Sequence, residues 1–436
     1  MDKNDNDLEE KQQIPNPKRI FVCVHGIGKQ HRGATVRSVA NRLASSTTVH
    51  GDLGFPYHPQ ALGYFYKTDD DTGVFPLDTA IIEELGDRAD VRVAEVFWAD
   101  LPQRVIDEGR TIEETKEWAD TVVARAYYSY QKLTKDIAAG TPVKYPEPDF
   151  SLASEVLGEV IDTVRVLERL AYVGEKAGMP KVDLRAVFEE FLGDVQIVTE
   201  FAGHRDAILD RFSETMRRIH RDHEDAEIHI IAHSEGTVIS FLGLLRAMSR
   251  TNADSPSAEL PGWVKQMRSY MTIGSPLDKH VLLWPALFEG LNLELAEKYY
   301  ALPEAKPIHW KNYYDLSDPI GFKLDSTRRW LESAPQNQCK WYNFDEKNDD
   351  HGFARYTFPG KAHNDYWEDE EVFEHYLKTA VFPNTDEIVK APKSRVRGRI
   401  ISPILLYGLS FFLFFAAVGT LYYTMGKILP GIPNTI

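Results

Sequence analysis

The stretch Ala232–Gly236, which reads "AHSEG", has the clearest potential for chemistry in this sequence of 436 residues. It follows the apolar run "EIHII" and precedes "TVISFLGLLRAMSR", a helix-like run. A strand, a sharp turn that carries serine and a helix make up a nucleophile elbow, in which small residues flank the serine because strand and helix approach closely. The stretch is a variant of the G-x-S-x-G pattern with alanine in first place, and it predicts Ser234 as a nucleophile. A serine that only caps a helix is the alternative.

A second motif, "VHGIGK", follows an early apolar strand and suits a loop that approaches an anion closely. A phosphate-binding Walker loop is excluded because Gly28 is followed by Lys-Gln and the two glycines are too close together. A dinucleotide fingerprint is excluded because His31 stands where its third glycine belongs. The remaining anion is the oxyanion of an ester under attack. We therefore predict an oxyanion hole formed by the loop at Gly26 and Ile27 and by the N–H of Glu235.

A serine nucleophile needs a general base and an acid that orients it, and in folds with this elbow the chain order is serine, acid, histidine. Asp318, in the loop after "IHWKNYYD", is the favoured acid, with Asp315 at the strand end and Asp278 after "TIGSPL" as alternatives. His363, in the loop "GKAHNDYW", is the favoured base, and His351 in "DDHGF" is the alternative. Imidazole suits this role because it can accept and return a proton near neutral pH.

Strand-like apolar runs alternate with helix-like segments along most of the chain. Several of these runs are apolar almost throughout, as expected for strands that are covered on both faces. The alternation predicts an α/β fold with a mostly parallel sheet flanked by helices. The predicted strands are Ile20–Val24, Val91–Trp98, Glu227–Ala232, Tyr270–Ile273, Ile308–Tyr314 and Lys340–Phe344.

The predicted catalytic domain covers residues 19–385, after a disordered leader at residues 1–18 that lacks the apolar core of a signal peptide. Residues 101–221 interrupt the strand–helix alternation with helix-patterned segments such as "IEETKEWADTVVARAYYSYQKLTKDI". Apolar residues at helical spacing usually pack in a core, which is one interpretation of this region. The other interpretation is a helical cap inserted over the active site, with its tyrosines near an acyl-binding surface.

Residues 400–426 contain no charged residue and are apolar almost throughout. A bilayer core requires about 20 apolar residues in a helix, so we predict a C-terminal transmembrane helix here. A basic juxtamembrane linker at residues 386–399 precedes it, and only one charged residue follows it. The positive-inside rule then places the catalytic domain in the cytoplasm, with a single-pass anchor. The basic residues of the linker are Lys390, Lys393, Arg395, Arg397 and Arg399.

Composition argues against several other classes of protein. The formal net charge of −16 disfavours a nucleic-acid partner, because affinity for a polyanion depends mainly on a basic face. Two cysteines, Cys23 and Cys339, form no disulfide framework and fit a reducing compartment. His220, His223 and His229 lie close in sequence, but nothing nearby repeats zinc-ligand spacing, so a solvated helix end running into a strand is preferred. Neither a metal nor an organic cofactor is predicted.

Five motifs together resemble those of α/β-hydrolase lipases, and especially of the intracellular DDHD-domain phospholipases. They are "VHGIG", "AHSEG", "MTIGSP", "DPIGFKLD" and "HNDYW", and they come in the same order as in that family. The resemblance extends, as separated islands, from about Ile20 to Trp367. It implies an α/β-hydrolase fold, a lipase activity, and roles for Ser234 as nucleophile, Asp318 as acid and His363 as base.

The expected function is therefore that of a membrane-anchored serine hydrolase that cleaves acyl esters of phospholipids or other membrane lipids. The expected partners are the lipid substrate and the bilayer that holds the C-terminal helix. Two alternatives remain: a catalytically weak, membrane-anchored scaffold with a hydrolase fold, and an esterase or thioesterase of soluble substrates. The sequence leaves the head group, the acyl position and the oligomeric state open.

Overall fold

The computed structural model of this chain describes residues 18–28, 30–46, 78–81, 91–107, 118, 121–122, 124–125, 194–249, 259–318, 320–333, 340–356, 359–383 and 389–395. Nearly all of the predicted leader, most of the predicted insertion and the predicted transmembrane helix at residues 400–426 lie outside these ranges. Within the described ranges, no helix combines the length and the apolar character that crossing a membrane requires.

One sheet of eight strands forms the centre of the described part of the chain, in the order β2-β3-β1-β4-β5-β6-β7, with β8 also paired to β6. Every pairing is parallel except that between β2 and β3. The predicted mostly parallel sheet flanked by helices is confirmed. The strands are β1 (Arg19–Val24), β2 (Asp78–Ile81), β3 (Val91–Val96), β4 (Glu227–His233), β5 (Met267–Ile273), β6 (Ile308–Asp315), β7 (Tyr342–Asn343) and β8 (Asp350–Phe353).

Helices connect these strands and cover both faces of the sheet. Residues 194–200 are also helical, and single turns of other helix types occur at Pro285–Phe288, Asp365–Glu368 and Leu377–Val381. The α-helices are α1 (Ala34–Ser45), α2 (Asp100–Asp107), α3 (Ala202–Asp222), α4 (Glu235–Met248), α5 (Gly262–Gln266), α6 (Leu277–Leu283), α7 (Glu294–Tyr300), α8 (Asp325–Ser333), α9 (Glu346–Asp349), α10 (Pro359–Asn364) and α11 (Glu370–Tyr376).

The side chains of β1 alternate between two hydrophobic cores, one on each face of the sheet. Ile20, Val22 and Val24 belong to the core that α3 and α4 cover. Phe21 and Cys23 belong to the core that α1 and α11 cover. Burial on both faces explains why the strand is apolar throughout rather than alternating.

The long helix α3 falls almost wholly within the region predicted as a helical insertion. Its apolar side chains at Ile208, Phe212, Met216 and Ile219 recur every three or four residues and are buried in the core that it shares with α4. In this helix the spacing therefore reflects core packing. The greater part of the predicted insertion lies outside the described residues.

Two strands escaped prediction from the sequence. The run "DTAI" of β2 is short and contains two polar residues, and "DHGF" of β8 lacks an apolar stretch of strand length. A search for buried apolar runs missed both strands, because each has only four residues and is held by pairing with a neighbouring strand rather than marked by its own composition. One consequence is that His351, an alternative catalytic base, lies inside β8 rather than in a loop.

The carboxyl ends of neighbouring parallel strands meet along one edge of the sheet, which is where α/β proteins place their sites. The loop after β1 contains Gly26, β4 leads into Ser234, and β5 leads into Gly274. The loop after β6 contains Asp318. The sheet order thus brings four distant stretches of the chain side by side.

Candidate active site

Ser234 occupies a strained turn between β4 and α4. Its φ of 53° is the only positive φ of a non-glycine residue among the described residues, and its N–H donates to the carbonyl of Ile273 at 3.0 Å. Directly after it, the helix comes so close to β1 that a Cβ on Gly236 would lie 2.3 Å from the carbonyl oxygen of His25. This is the geometry of a nucleophile elbow, which presents the serine hydroxyl at the end of a strand.

The structure brings together the three side chains that the sequence singled out. The Nε2 atom of His363 lies 2.9 Å from Oγ of Ser234. The Nδ1 atom of the same ring lies 3.0 Å from each carboxylate oxygen of Asp318. Because a carboxylate only accepts hydrogen bonds, Nδ1 carries a proton, and Nε2 is then free to accept the serine hydroxyl. A hydroxyl, an imidazole and a carboxylate joined in this way can generate a nucleophile.

The environment of Asp318 keeps its carboxylate charged although the residue is only 4% exposed. Burial by itself raises the pKa, but the nearby His363 ring and the N–H groups of Ile320 and Gly321 outweigh it and lower the pKa to about 2. The Ile320 N–H donates to Oδ1 at 2.8 Å. The acid is therefore ionised at neutral pH and able to stabilise a positive charge on the imidazole.

Tyr366 is a further hydrogen-bond donor to Asp318, and sequence reasoning missed it. Its hydroxyl donates to Oδ2 of Asp318 at 2.9 Å and accepts from the N–H of Asp315 at 2.7 Å. Burial, followed by the charge of Asp318, raises the pKa of the phenol well above its ordinary value, so the hydroxyl remains a donor. There is no spare room here, since a Cβ on Gly274 would lie 2.9 Å from the Tyr366 ring and 3.0 Å from Asp318.

His233 holds the segment that contains His363. Its Nε2 lies 2.7 Å from the carbonyl oxygen of His363, and because a carbonyl only accepts, Nε2 is the donor. The two rings lie 4.7 Å apart, and the edge of Trp367 packs against His233. Burial and the neighbouring His363 lower the pKa of His233 to about 3, so it remains neutral at neutral pH.

The loop after β1 lies directly against Ser234. A Cβ on Gly26 would lie 2.7 Å from the Cβ of Ser234 and 3.2 Å from its Oγ, so only glycine fits here. The Gly26 carbonyl accepts from Nδ1 of His25 at 2.7 Å. Because the peptide bond between Gly26 and Ile27 is trans, the N–H of Ile27 points to the opposite side from the Gly26 carbonyl.

His25 is itself fixed from two sides. Its Nε2 accepts from the N–H of Trp98 at 3.1 Å, and its carbonyl accepts from the Trp98 indole at 3.0 Å. Burial lowers the pKa of the ring to about 4. The neutral ring, protonated on Nδ1, thus locks the orientation of the Gly26 carbonyl. By contrast, the N–H of Gly28 donates to Asp194 and is not available to a ligand.

The alternative acids and base have other partners. Asp315 accepts from the backbone N–H groups of Ser317, Arg355 and Tyr356, so it orders the loops around the site. Asp278 accepts from two N–H groups and a hydroxyl at the start of α8. His351 is stacked against the ring of Tyr313, 5.2 Å away. None of these three is paired with Ser234 in the described part of the chain.

The three histidines that are close in sequence have separate partners. His220 bonds Gln266, His223 contacts Arg92, and His229 contacts Ser269. The expected helix end running into a strand is found, with His220 at the end of α3 and His229 buried, 1% exposed, inside β4. Within the described residues, no three histidine, cysteine or acidic side chains are grouped to hold a metal ion.

Some of these roles had a signal in the sequence and others had none. His233 and Tyr366 both lie within motifs that were noted for their neighbours, "AHSEG" and "HNDYW". Their type and position did not reveal which atoms they would bond, because each bond joins residues far apart in the chain.

Comparisons with protein-family models, curated proteins and solved structures found no match to this chain.

Proposed function

We propose that this protein is a serine hydrolase of the α/β-hydrolase type that cleaves carboxylic esters. The single observation that carries the proposal is the continuous chain of hydrogen bonds from Ser234 through His363 to Asp318. It is supported by the positions of the three residues, which follow β4, β8 and β6 at the carboxyl edge of the sheet. The order serine, acid, histidine along the chain is that of α/β-hydrolases.

In the proposed reaction, Oγ of Ser234 attacks the ester carbonyl while its proton passes to Nε2 of His363. Asp318 stabilises the imidazolium that forms. The tetrahedral oxyanion accepts hydrogen bonds from the N–H groups of Glu235 and of the loop at Gly26 and Ile27. When the intermediate collapses, the alcohol leaves with the proton from Nε2. Water, activated by the same imidazole, then hydrolyses the acyl-serine and restores the free hydroxyl.

The proposed substrates are acyl esters of membrane lipids. Two features of the sequence support this class: the resemblance to intracellular DDHD-domain phospholipases, and the apolar stretch at residues 400–426, which we propose to be a membrane anchor. An anchor raises the local concentration of a bilayer substrate around the site, which benefits a lipase more than an esterase of soluble compounds. The basic linker before the anchor places the catalytic domain in the cytoplasm under this proposal.

The test compares ester turnover by the full-length protein in phospholipid vesicles with turnover of a short-chain soluble ester. We expect release of fatty acid from the vesicles, and we expect Ser234→Ala to reduce turnover of both substrates by at least about 1,000-fold. Turnover of the soluble ester alone would instead assign the protein to the soluble-substrate esterases. Full activity of the folded Ser234→Ala protein would contradict the proposed nucleophile, and no turnover by the wild type would favour a scaffold.

A further inference from the structure

A buried pair of ionisable side chains lies next to the nucleophile and takes no part in the mechanism above. Glu235, the first residue of α4, is 1% exposed, and His280 of α6 is 2% exposed. Nε2 of His280 lies 3.1 Å from Oε1 of Glu235. The ring of Trp284 packs against His280 with centroids 4.9 Å apart. A charged group so deeply buried is costly unless it has a partner of opposite charge.

The contacts of His280 orient its ring toward Glu235. Its Nδ1 lies 3.2 Å from the carbonyl oxygen of Pro276, which can only accept, so Nδ1 carries a proton. The other nitrogen faces the carboxylate of Glu235. Its distance of 3.1 Å from Oε1 is that of an ion pair. Neither of these two atoms makes a hydrogen bond within the described residues, so the ring, when it carries a proton on both nitrogens, compensates the carboxylate as an ion pair.

The location of the pair makes this compensation of charge important. In the proposed function, on which this inference rests, the N–H of Glu235 donates to the oxyanion, so the carboxylate of the same residue is held close to a developing negative charge. An uncompensated carboxylate there would oppose formation of that charge in a low-dielectric site. Its position in the first turn of α4 is favourable for the helix itself, because acidic groups are stabilised at a helix N-terminus.

We propose that His280 is a positioning residue for catalysis that acts through Glu235. It neutralises the Glu235 carboxylate and holds it away from the oxyanion, so that the helix start stabilises the transition state rather than opposing it. The elbow can then tolerate a glutamate directly after the nucleophile. The proposal predicts that the two side chains depend on one another: loss of His280 is harmful mainly while Glu235 carries a carboxylate.

The test measures kcat and KM for a short-chain ester, and the rate at which a fluorophosphonate modifies Ser234, in the full-length protein. Variants are His280→Gln, and His280→Gln combined with Glu235→Gln. We expect His280→Gln to lower kcat and the modification rate by about 10- to 100-fold with KM changed less than about twofold. In the double variant, Glu235→Gln should restore at least half of the loss in the logarithm of kcat and of the modification rate.

A matched control is His229→Gln, which also removes a buried histidine, here one that contacts Ser269 rather than the site. We expect kcat of the folded control to equal that of the wild type. A double variant as slow as His280→Gln would overturn the proposal, as would wild-type rates in His280→Gln. If only the double variant folds, near-wild-type kcat supports compensation of charge; if neither folds, His280 is purely structural and the proposal fails.

The same experiment separates this inference from the proposed function. A folded wild-type protein whose Ser234 is not modified by the fluorophosphonate overturns the proposed hydrolase, and the inference with it. A wild type that reacts at Ser234, together with no rescue by Glu235→Gln, overturns only the role of His280.

Discussion

The three side chains with a proposed catalytic role are held in place by groups that take no part in proton transfer. Tyr366 donates to the carboxylate of Asp318 at 2.9 Å. His233 donates to the backbone of His363 at 2.7 Å. Ser234 is held by its own strained backbone, with a φ of 53°. Geometry at this scale thus depends on buried polar groups that are satisfied, and removal of one partner leaves the other unpaired.

Replacement of Tyr366 by phenylalanine tests this dependence. The variant removes the hydroxyl that orients Asp318 and leaves the N–H of Asp315 without its acceptor. We expect kcat for ester hydrolysis to fall by about tenfold with KM little changed, because only the orientation of the acid is disturbed. Steady-state kinetics of the purified protein provide the measurement.

Tyr376→Phe is the control for Tyr366→Phe. Tyr376 is equally buried, and its hydroxyl bonds Ser269 at 2.6 Å near the opposite end of β5. Both variants should lose about 1–3 kcal/mol of stability, since each removes a buried hydrogen bond. Only Tyr366→Phe should lose activity, and equal kinetic effects of the two variants would show that the hydroxyl of Tyr366 has no special role.

At the residue scale, the sequence was enough to select the residues with proposed catalytic roles, but not the residues that hold them in place. Ser234, His363 and Asp318 were selected because chemistry restricts those roles to few residue types and to a fixed chain order. His233 and Tyr366 could not be selected, because a histidine or tyrosine in a motif is compatible with many bonds. Their roles follow from side-chain positions, which depend on packing across distant parts of the chain.

At the scale of elements, the site depends on how closely α4 follows β4 and crosses the end of β1. The chain needs a residue without a side chain at Gly236, where a Cβ would lie 2.3 Å and 2.5 Å from the carbonyl oxygens of His25 and Val24. Real Cβ atoms do not approach backbone oxygens so closely, so the strand or the helix would have to move. That movement would also displace the loop that contacts Ser234.

Gly236→Ala is therefore expected to destabilise the protein by about 1–3 kcal/mol or more and to reduce ester turnover strongly. Gly203→Ala is the matched control, because a Cβ on Gly203 of α3 meets nothing within 4 Å. Alanine is the better helix former, so the control should be as stable as the wild type or more stable. Urea denaturation measures both, and equal stabilities of the two variants would refute the close approach of helix and strand.

Sequence patterns predicted the bounds of some strands more accurately than those of others. The apolar runs of β1 and β4 predicted strands with nearly correct bounds, because burial on both faces leaves a continuous apolar signal. The same reasoning gave β5 a start three residues too late, since the strand begins with Met267-Arg268-Ser269. It missed β8 altogether, whose pairing with residues 312–315 of β6 involves only four residues.

At the scale of the whole molecule, the parallel sheet brings together residues that are far apart in the chain. His363 lies 129 residues from Ser234 and 45 residues from Asp318 in sequence, yet bonds both. This works because a crossover returns the chain to the start of the next parallel strand, so the carboxyl ends of the parallel strands, and the loops that follow them, lie on the same edge. The sequence predicted this layered class from its alternation of strands and helices, but not the strand order.

Two hydrogen bonds join the basic segment before the proposed anchor to the residue that follows β8. The N–H of Ala354, directly after β8, donates to Ser394 at 3.1 Å, and the N–H of Arg395 donates to the Ala354 carbonyl at 2.8 Å. The chain from Arg395 to the apolar stretch at residues 400–426 can extend at most about 18 Å. Under the proposed function, this short connection holds the segment that carries His363 near the lipid surface.

The most direct test of the proposed site is to locate the residue that a fluorophosphonate modifies in the folded, full-length protein. Peptide mass spectrometry should find a single phosphonyl adduct on Ser234, and none after denaturation or in His363→Ala, because the hydroxyl is nucleophilic only while the imidazole can take its proton. An unmodified Ser234 in the folded wild type, or equal modification of native and denatured protein, would contradict the proposal.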